Sequence, residues 1–316
     1  MALVRILFAT DLHGSTKAFL KFLKAIKLYK ANVGILGGDL TGKLIVAIEK
    51  QENGTYHTEF MGRSYQVDSE ASLNEIMVQI QDTGYYAFVA SKDEIQRVAN
   101  DPQFASDTFN LLAAKRLEEW MHLAKPRLEG IGINVYFTGG NDDRLELDDV
   151  LRASDTMIFA ESRVVMLEGE HEMISTGYTN ITPWKCPRDI PEEELYVRIE
   201  RLAEKVTDLK SAIFNLHAPP IESTIDVCTK LDTSFDPPKA LIGQETPGGS
   251  AAVRKAIETF QPLAGLHGHI HESRGVDKIG RTLCFNPGSE YTEGTLKSVV
   301  LNLSKEKVES YQFLSG

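Results

Sequence analysis

Residues 3–39 read LVRILFATDLHGSTKAFLKFLKAIKLYKANVGILGGD, and the fold class follows from their pattern. A short apolar run, Leu3–Ala9, predicts a buried strand, and a second run, Val33–Gly37, predicts another. Between them Ser15 can cap a helix to about Tyr29, because apolar side chains recur there at helical spacing with lysines opposite. Strand, helix and strand in so few residues predict a βαβ unit with parallel strands, and therefore an α/β fold.

The pattern changes after residue 43. Asn53-Gly54 is a strong hairpin signal because this dipeptide tolerates positive φ, and three helices are predicted near Ser72–Gln81, Ser91–Asn100 and Pro102–Leu128. The next buried strand is predicted only at Ile133–Thr138. A single crossover needs far fewer residues, so we expect residues 43–130 to be an insertion within one domain that spans residues 1–316.

The C-terminal half is predicted to be mostly β-structure. A helix is expected at Glu192–Lys210. Strands are expected at Ser162–Leu167, His171–Thr176, Ser211–Leu216, Leu263–Leu266, Arg281–Phe285, Ser298–Leu303 and Lys307–Phe313.

The composition is that of a globular protein with an acidic excess. Its 316 residues include 45 Asp and Glu against 34 Lys and Arg, which gives a net charge of −11. Such a surface repels polyanions, so a long nucleic acid or an anionic membrane is not expected as a partner, although bound cations can invert the charge locally. Three cysteines without CxxC spacing and no long apolar stretch predict a soluble, cytoplasmic protein.

Side chains that can bind a metal follow predicted strands at five places. They are Asp11 with His13, Asp39, Asn141, His217, and His269 with His271. Each has an ordinary explanation by itself, because an aspartate after a strand is usually a helix cap and a lone histidine is usually a surface or core residue. Their joint occurrence favours a metal site at the carboxyl ends of the strands, where ligands of α/β proteins collect.

The ligand types indicate which ions would bind. Carboxylate oxygen, amide oxygen and imidazole nitrogen suit Mn, Fe, Zn, Ni, Co or Mg rather than Ca. Two such divalent ions roughly 3.5–4 Å apart can clamp a phosphoryl group and lower the pKa of a bound water to near neutrality. A carboxylate such as that of Asp39 can bridge both ions. The sequence has no GxSxG elbow, so the expected nucleophile comes from the metals.

In the order of its motifs the chain resembles the calcineurin-like metallophosphoesterase superfamily, and within it the Icc-related phosphoesterases. The motifs are Asp11-x-His13, Gly38-Asp39, Gly140-Asn141-Asp142-Asp143, His217 and Gly268-His269-x-His271. The resemblance implies a four-layer α/β/β/α sandwich of two mixed sheets flanked by helices. It also implies one metal held by Asp11, His13, Asp39 and His271, and a second held by Asp39, Asn141, His217 and His269.

One position departs from the family pattern. The usual motif is Gly-Asn-His-Asp/Glu, whose histidine is taken to bind phosphate or to protonate the leaving group, but this chain has Asp142. An ionised aspartate is unfavourable beside a dianionic phosphate. Asp142 could stay protonated as an acid, could turn away, or could reflect a substrate whose leaving group needs little protonation. We expect it to border the phosphate without being a strong general acid.

The remaining candidates have both ordinary and functional interpretations. Arg144 could bind phosphate bidentately, but pairing with Asp142 or Asp143 is favoured. His267 is interpreted as a neighbour of the motif rather than a ligand. Three histidines outside every motif are expected at the surface: His57, His122 and His171.

The resemblance implies a dinuclear metal-dependent phosphoesterase. The leading hypothesis is hydrolysis of a small phosphodiester by a metal-bridging hydroxide. The alternatives are a phosphomonoesterase or nucleotide pyrophosphatase and, from another class, a catalytically inactive binding scaffold of the same fold. The insertion at residues 43–130 is expected to form a lid or a contact in a homo-oligomer.

Overall fold

The computed structural model describes residues 3–316, in which helices surround two six-stranded sheets. The strands are Val4–Ala9 (β1), Val33–Leu36 (β2), Ile45–Lys50 (β3), Tyr56–Phe60 (β4), Arg63–Val67 (β5), Tyr86–Ala90 (β6), Asn134–Phe137 (β7), Ile158–Phe159 (β8), Val164–Leu167 (β9), His171–Thr176 (β10), Thr179–Asn180 (β11), Asp189–Ile190 (β12), Ile213–Leu216 (β13), Val227–Asp232 (β14), Lys239–Pro247 (β15), Ala264–Leu266 (β16), Gly275–Ile279 (β17), Thr282–Asn286 (β18), Lys297–Leu303 (β19) and Val308–Ser315 (β20). The helices are Thr16–Leu28 (α1), Glu70–Asp82 (α2), Lys92–Asn100 (α3), Pro102–Leu128 (α4), Asp148–Arg152 (α5), Glu192–Ala203 (α6) and Ala251–Phe260 (α7).

The first six-stranded sheet contains the predicted βαβ unit. Its order is β20-β19-β1-β2-β7-β8. Strands β1, β2, β7 and β8 are parallel, whereas β19 runs antiparallel to β1. Helix α1 begins where the Ser15 hydroxyl accepts the Ala18 N–H, as its sequence predicts. The α/β class is therefore confirmed.

The second six-stranded sheet is also mixed. Its order is β17-β18-β16-β13-β10-β9. The four inner strands are parallel, and the edge strands β9 and β17 are antiparallel to their neighbours. Both sheets thus have a central group of parallel strands whose carboxyl ends can share one site.

Three apolar clusters hold the sheets and helices together. One contains side chains of both six-stranded sheets, including Phe8 of β1 and Phe285 of β18. A second joins α1 and α4 to the first sheet, with the Phe19 and Trp120 rings stacked at a centroid distance of 4.4 Å. The third packs α6 and α7 against the second sheet. Each six-stranded sheet therefore contributes to the cluster shared by the two sheets and to a cluster with helices.

The predicted insertion at residues 43–130 consists of two structurally different parts. Strands β3 to β6 form a separate sheet of order β5-β4-β3-β6, with its own apolar cluster that includes Ile48 and Ile80. The β3–β4 pair is the hairpin that Asn53-Gly54 predicts. Helix α4 belongs instead to the main core through Leu117 and Trp120. This helix is therefore part of the crossover between β2 and β7, which are neighbours in the first sheet.

Several elements differ from the sequence prediction. The helix expected at Glu192–Lys210 ends at Ala203, and the strands β5, β6, β14 and β15 and helix α7 were not predicted. Strands β14 and β15 form a hairpin that is largely exposed on both faces, so its sequence lacks the alternation that marks a half-buried strand.

His171 lies in the interior rather than at the surface. It was expected at the surface, but it is fully buried at the start of β10. Its Nδ1 lies 2.8 Å from the backbone oxygen of Ser211, in the segment that leads into the neighbouring strand β13. His122 is exposed, and His57 is partly exposed.

Within residues 3–316, no helix combines the length and the apolar character that crossing a bilayer requires.

Candidate metal centre

The seven side chains predicted as metal ligands come together where parallel strands of both sheets end. Asp11 and His13 follow β1, Asp39 follows β2 and Asn141 follows β7. The second sheet contributes His217 after β13, and His269 and His271 after β16. Because the two sheets share an apolar cluster, these loops meet at one edge of the sheet pair. The sequence identified the residues, and the packing of the sheets brings them into one site.

The distances between ligand atoms are short enough for shared ions. Asp39 Oδ2 lies 3.6 Å from His13 Nε2 and 3.4 Å from His217 Nε2. Asp11 Oδ1 lies 3.3 Å from His271 Nε2 and 3.8 Å from His217 Nε2. These atoms form overlapping groups, among them Asp11–His13–His271 and Asp11–Asp39–His217, in which all ligand atoms lie within 4.8 Å of one another. Such groups could bind metal ions.

The remaining two predicted ligands also meet. The Asn141 Oδ1 atom lies 2.9 Å from the His269 Nδ1 atom. A third group combines His13 and Asp39 with Asp142, the residue that replaces the usual histidine of the family motif.

Two features of the imidazole nitrogens fit a bound cation. His217 Nδ1 lies 2.9 Å from the Gly37 backbone oxygen, which fixes Nδ1 as the protonated nitrogen. Its Nε2 is buried, and no hydrogen-bond partner for it occurs among the described residues. His13 Nε2 and His271 Nε2 are only 3.1 Å apart. Two ring nitrogens that face the same small space beside carboxylates suit a divalent ion, which accepts both lone pairs.

The electrostatics of the site agree with this chemistry. Burial, and next the Lys43 ammonium, lower the pKa of His13 to about 3, so the ring is neutral and offers a lone pair. Burial by itself would raise the pKa of Asp39, but the neighbouring His217 holds it well below its usual value. Burial would lower the pKa of His217, but the carboxylates of Asp39 and Asp11 raise it to about 10, so without a bound cation this ring itself carries the positive charge beside them. Two buried carboxylates thus require positive charge between them.

The backbone at the ligands is strained. Four of them have positive φ, a conformation that costs a non-glycine residue energy: Asp11 at 54°, His13 at 41°, Asp39 at 49° and His269 at 67°. Strain of this kind concentrates at functional sites, where the surrounding structure enforces a geometry that the side chains need.

The motif glycines are required because carboxylates lie directly against them. A Cβ atom on Gly140 would lie 2.1 Å from Asp39 Oδ1, and one on Gly268 would lie 2.3 Å from Asp11 Oδ2. Backbone N–H groups from the same loops then orient these carboxylates: His269 N donates to Asp11, and Asp142 N donates to Asp39 Oδ1. This explains why the residues directly before Asn141 and His269 are glycines.

Asp143 connects two of the loops that carry predicted ligands. It is fully buried, and its carboxylate accepts backbone N–H groups of Leu40, Thr41 and Gly140. Burial and the nearby Asp39 carboxylate raise the pKa of Asp143 to about 6. Asp143 therefore ties the loop after β2 to the loop after β7, and so fixes Asp39 relative to Asn141.

Arg144 departs from the ion pairing that the sequence favours. The favoured pairing with Asp142 or Asp143 is wrong, because its guanidinium donates to Ser106 and Asn110 of α4 and lies 4.4 Å from the Phe109 ring centroid. Helix α4 packs against the loop after β7 that contains Arg144. The spacing of residues in the sequence could not reveal this contact.

His267, next to the ligand motif, also turns away from the ligands. Its Nδ1 lies 2.8 Å from the Leu216 backbone oxygen.

Two side chains at the site were missed by the sequence analysis. Lys43 Nζ lies 2.7 Å from Asp142 Oδ2. The Tyr291 ring packs on His13 and His271, with centroid distances of 4.6 Å and 5.9 Å. Neither belongs to a recognised motif, and the only available signal was the position of Lys43 four residues after Asp39.

Comparisons with known proteins give one sequence relative and several structural ones. No protein-family model matches the chain. The uncharacterized protein MJ1162 of Methanocaldococcus jannaschii is 31% identical over 173 residues, which cover 54% of this chain and 71% of that protein. The crystal structure of TT1561 of Thermus thermophilus aligns over 100% of this chain and 99% of its own length, with a TM-score of 0.54 and 15% identity.

A third likeness is weaker. A novel archaeal phosphodiesterase aligns over 99% of both chains at 11% identity, with a TM-score of 0.37, which is too low to carry an argument about activity. The chain belongs to the family of the MJ1162 protein, and its fold is similar to that of TT1561.

Proposed function

We propose that this protein is a dinuclear metal-dependent phosphoesterase that hydrolyses small phosphodiesters. One observation carries the proposal: seven side chains of the family pattern, drawn from five loops on two sheets, converge with their donor atoms facing one another. A scaffold that had lost its activity would have no need to retain this complete set or the strained backbone that holds it.

The residues divide between the two proposed ions as the family pattern implies. Asp11, His13, Asp39 and His271 would hold one ion, and Asp39, Asn141, His217 and His269 would hold the other. When bound, the two ions would supply the nucleophile and would neutralise charge on the phosphoryl oxygens. The short distances from Asp39 Oδ2 to His13 and His217 support its role as the shared ligand.

Backbone groups of the chain orient the predicted ligands. The Gly37 oxygen fixes the tautomer of His217, and the backbone N–H of Asp142 orients Asp39. Ligands held by such neighbours bind metal more tightly than unsupported ones. The four-layer order of the sandwich is part of the same proposal, and it is supported by the three apolar clusters between sheets and helices.

The charge near the site supports a diester rather than a monoester. A phosphodiester is a monoanion, whereas a phosphomonoester is mostly a dianion at neutral pH. Asp142 lies 3.9 Å from His13 Nδ1, so an approaching phosphate meets its carboxylate. Because like charges repel, the dianion is disfavoured more strongly than the monoanion. This difference in repulsion therefore argues against the phosphomonoesterase alternative.

The test is metal analysis of the purified protein followed by assays with each ion restored. We expect activity to disappear on chelation and to return with one or more divalent ions. We also expect kcat/KM for bis-p-nitrophenyl phosphate to exceed that for p-nitrophenyl phosphate by about tenfold or more, which corresponds to about 1.4 kcal/mol. Hydrolysis of the monoester alone would support the phosphomonoesterase alternative. Tight metal binding without turnover on any ester would support the inactive scaffold.

We propose that the sheet of strands β3 to β6 forms a fixed wall of the site rather than a moving lid. The turn between α2 and β6 is bonded to the loop that follows β1, because Ser15 Oγ donates to the Asp82 backbone oxygen at 2.6 Å. Arg116 of α4 joins the same two segments, since its guanidinium donates to the backbone oxygens of Gly14 and Tyr85. The Gly42 N–H donates to the buried Tyr86 hydroxyl at 2.7 Å. A contact in a homo-oligomer remains a proposal that the mass in solution tests.

The Tyr86→Phe variant tests this attachment. We expect it to lower the free energy of unfolding by about 1–3 kcal/mol, because the buried Gly42 N–H loses its acceptor. Urea denaturation measures the effect, and Tyr311→Phe, at an exposed tyrosine, serves as the control. Equal midpoints for the two variants would contradict a rigid attachment.

A small molecule is the proposed substrate, because a chain with a net charge of −11 repels a long nucleic acid. Three free cysteines support the proposal of a cytoplasmic location.

A further inference from the structure

An ion pair lies at the rim of the candidate metal centre. Lys43 Nζ is 2.7 Å from Asp142 Oδ2. The other carboxylate oxygen, Asp142 Oδ1, accepts the Cys186 thiol proton at 3.0 Å. The side chain of Lys43 is 41% exposed and that of Asp142 is 21% exposed, whereas those of His13 and Asp11 are at most 1% exposed. The pair therefore faces the solvent from which a substrate arrives.

The same pair is close to the predicted ligands. Asp142 Oδ2 lies 3.9 Å from His13 Nδ1, and the Asp142 N–H donates to Asp39 Oδ1 at 3.0 Å. A phosphate that reaches the ligand atoms from solvent therefore passes both charges. Asp142 stands where the family pattern has a histidine, so the charge of that histidine is here replaced by a paired lysine and aspartate.

The two partners are held in different ways. Asp142 is fixed by its own backbone bond to Asp39 and by the Cys186 thiol. Lys43 is on the loop after β2 and has a flexible side chain that the carboxylate orients. Burial would lower the pKa of Lys43, but Asp142 and Asp39 raise it, so the ammonium stays charged. Asp142 thus acts as the anchor, and Lys43 keeps hydrogen-bond donors for an anionic substrate.

We propose that Lys43 and Asp142 together determine the charge of the substrate: the Lys43 ammonium binds a non-bridging oxygen of a monoanionic phosphodiester, and Asp142 positions Lys43 and repels a dianionic phosphate. This inference rests on the proposed function. A neutral pair at the rim accepts a monoanion with one hydrogen bond, whereas a second negative charge on the ligand meets the Asp142 carboxylate.

The proposal predicts opposite effects of two substitutions. Lys43→Met leaves the Asp142 charge uncompensated, so binding and kcat/KM for the diester should fall by about 10- to 100-fold, the value of a charged hydrogen bond. Asp142→Asn frees the Lys43 charge, so the ratio of monoester to diester kcat/KM should rise by about tenfold. The double variant removes both charges and should return this ratio towards that of the wild type, which loss of a merely structural contact would not do.

Binding provides a measurement that does not depend on turnover. The probes are inorganic phosphate, largely a dianion at mildly alkaline pH, and dimethyl phosphate, a monoanion, titrated by calorimetry into the metal-loaded protein. We expect Asp142→Asn to favour inorganic phosphate and Lys43→Met to weaken dimethyl phosphate. Lys125→Met is the matched control, since Lys125 forms a 2.7 Å pair with Asp155 in which both side chains are more than half exposed.

The outcomes separate this inference from the proposed function. If the wild type hydrolyses diesters but neither rim variant changes the ratio of the two substrates or the two probes beyond the Lys125→Met control, the inference is wrong and the proposed function stands. If the wild type hydrolyses no ester while the probe affinities shift in the expected directions, the proposed function is wrong and the charge selection stands. Thermal melting of each variant verifies that it is folded.

Discussion

Replacing Asp39 by asparagine is expected to lower phosphodiester hydrolysis by about 1000-fold or more. Asp39 Oδ2 lies 3.6 Å from His13 Nε2 and 3.4 Å from His217 Nε2, so its carboxylate is positioned to serve both proposed ions. Asparagine keeps the shape of the side chain but removes its charge and its ability to bridge. Losing one group that stabilises transition-state charge typically costs 10²- to 10³-fold, and weaker binding of two ions would remove two such groups.

Metal content should change together with activity in this variant. Elemental analysis of purified Asp39→Asn is expected to find less than the wild-type amount of metal. Asp149→Asn is the matched control, because it makes the same chemical change at a side chain that is 91% exposed on α5. Full turnover in Asp39→Asn would overturn its assignment as the shared ligand, and with it the dinuclear site.

Replacing Arg188 by alanine is expected to lower the free energy of unfolding by about 3–5 kcal/mol, the usual cost of breaking a buried ion pair from one side. Arg188 is fully buried; its Nε donates to the Asp143 backbone oxygen at 2.8 Å, and its Nη2 pairs with Asp148. Without the guanidinium, the exposed Arg152 is the only ion-pair partner that the largely buried Asp148 carboxylate retains among residues 3–316. Urea denaturation followed by circular dichroism measures the loss.

This variant should also disturb the metal centre, because the Arg188 side chain donates to the backbone oxygen of Asp143, and the Asp143 carboxylate holds the Gly140 N–H beside Asn141. Metal affinity is expected to fall by about 10- to 100-fold, as it does when supporting residues of a metal site are removed. Lys125→Ala, which breaks an exposed pair with Asp155, should leave the urea midpoint unchanged. If Arg188→Ala were as stable as that control, the buried pair would have no structural importance.

The metal ligands could be predicted from the sequence because of where they lie relative to the predicted strands. Each follows an apolar run that had to be a strand, and parallel strands end at the same edge of a sheet. The glycines at 140 and 268 add to this signal, because the carboxylates of Asp39 and Asp11 leave no room for a side chain there. The pattern therefore encodes both the strand ends and the space that the ligands need.

The errors have an equally definite cause. Arg144 was assigned to its chain neighbours, but α4 crosses its loop and takes its hydrogen bonds. His171 was assigned to the surface, but it is buried beside the Ser211 backbone oxygen. In both cases the partner is more than 30 residues away in the chain, and local sequence has no information about such contacts.

The sequence by itself determined the α/β class, the βαβ unit and the residues that could bind metal, since these depend on periodicity, turn chemistry and side-chain type. Only the tertiary structure decided that α4 belongs to the main core while β3 to β6 form a separate sheet, and that Lys43 compensates Asp142. The physical reason is that packing and charge pairing act through space. Lys43 and Asp142 are 99 residues apart in the chain and 2.7 Å apart in the fold.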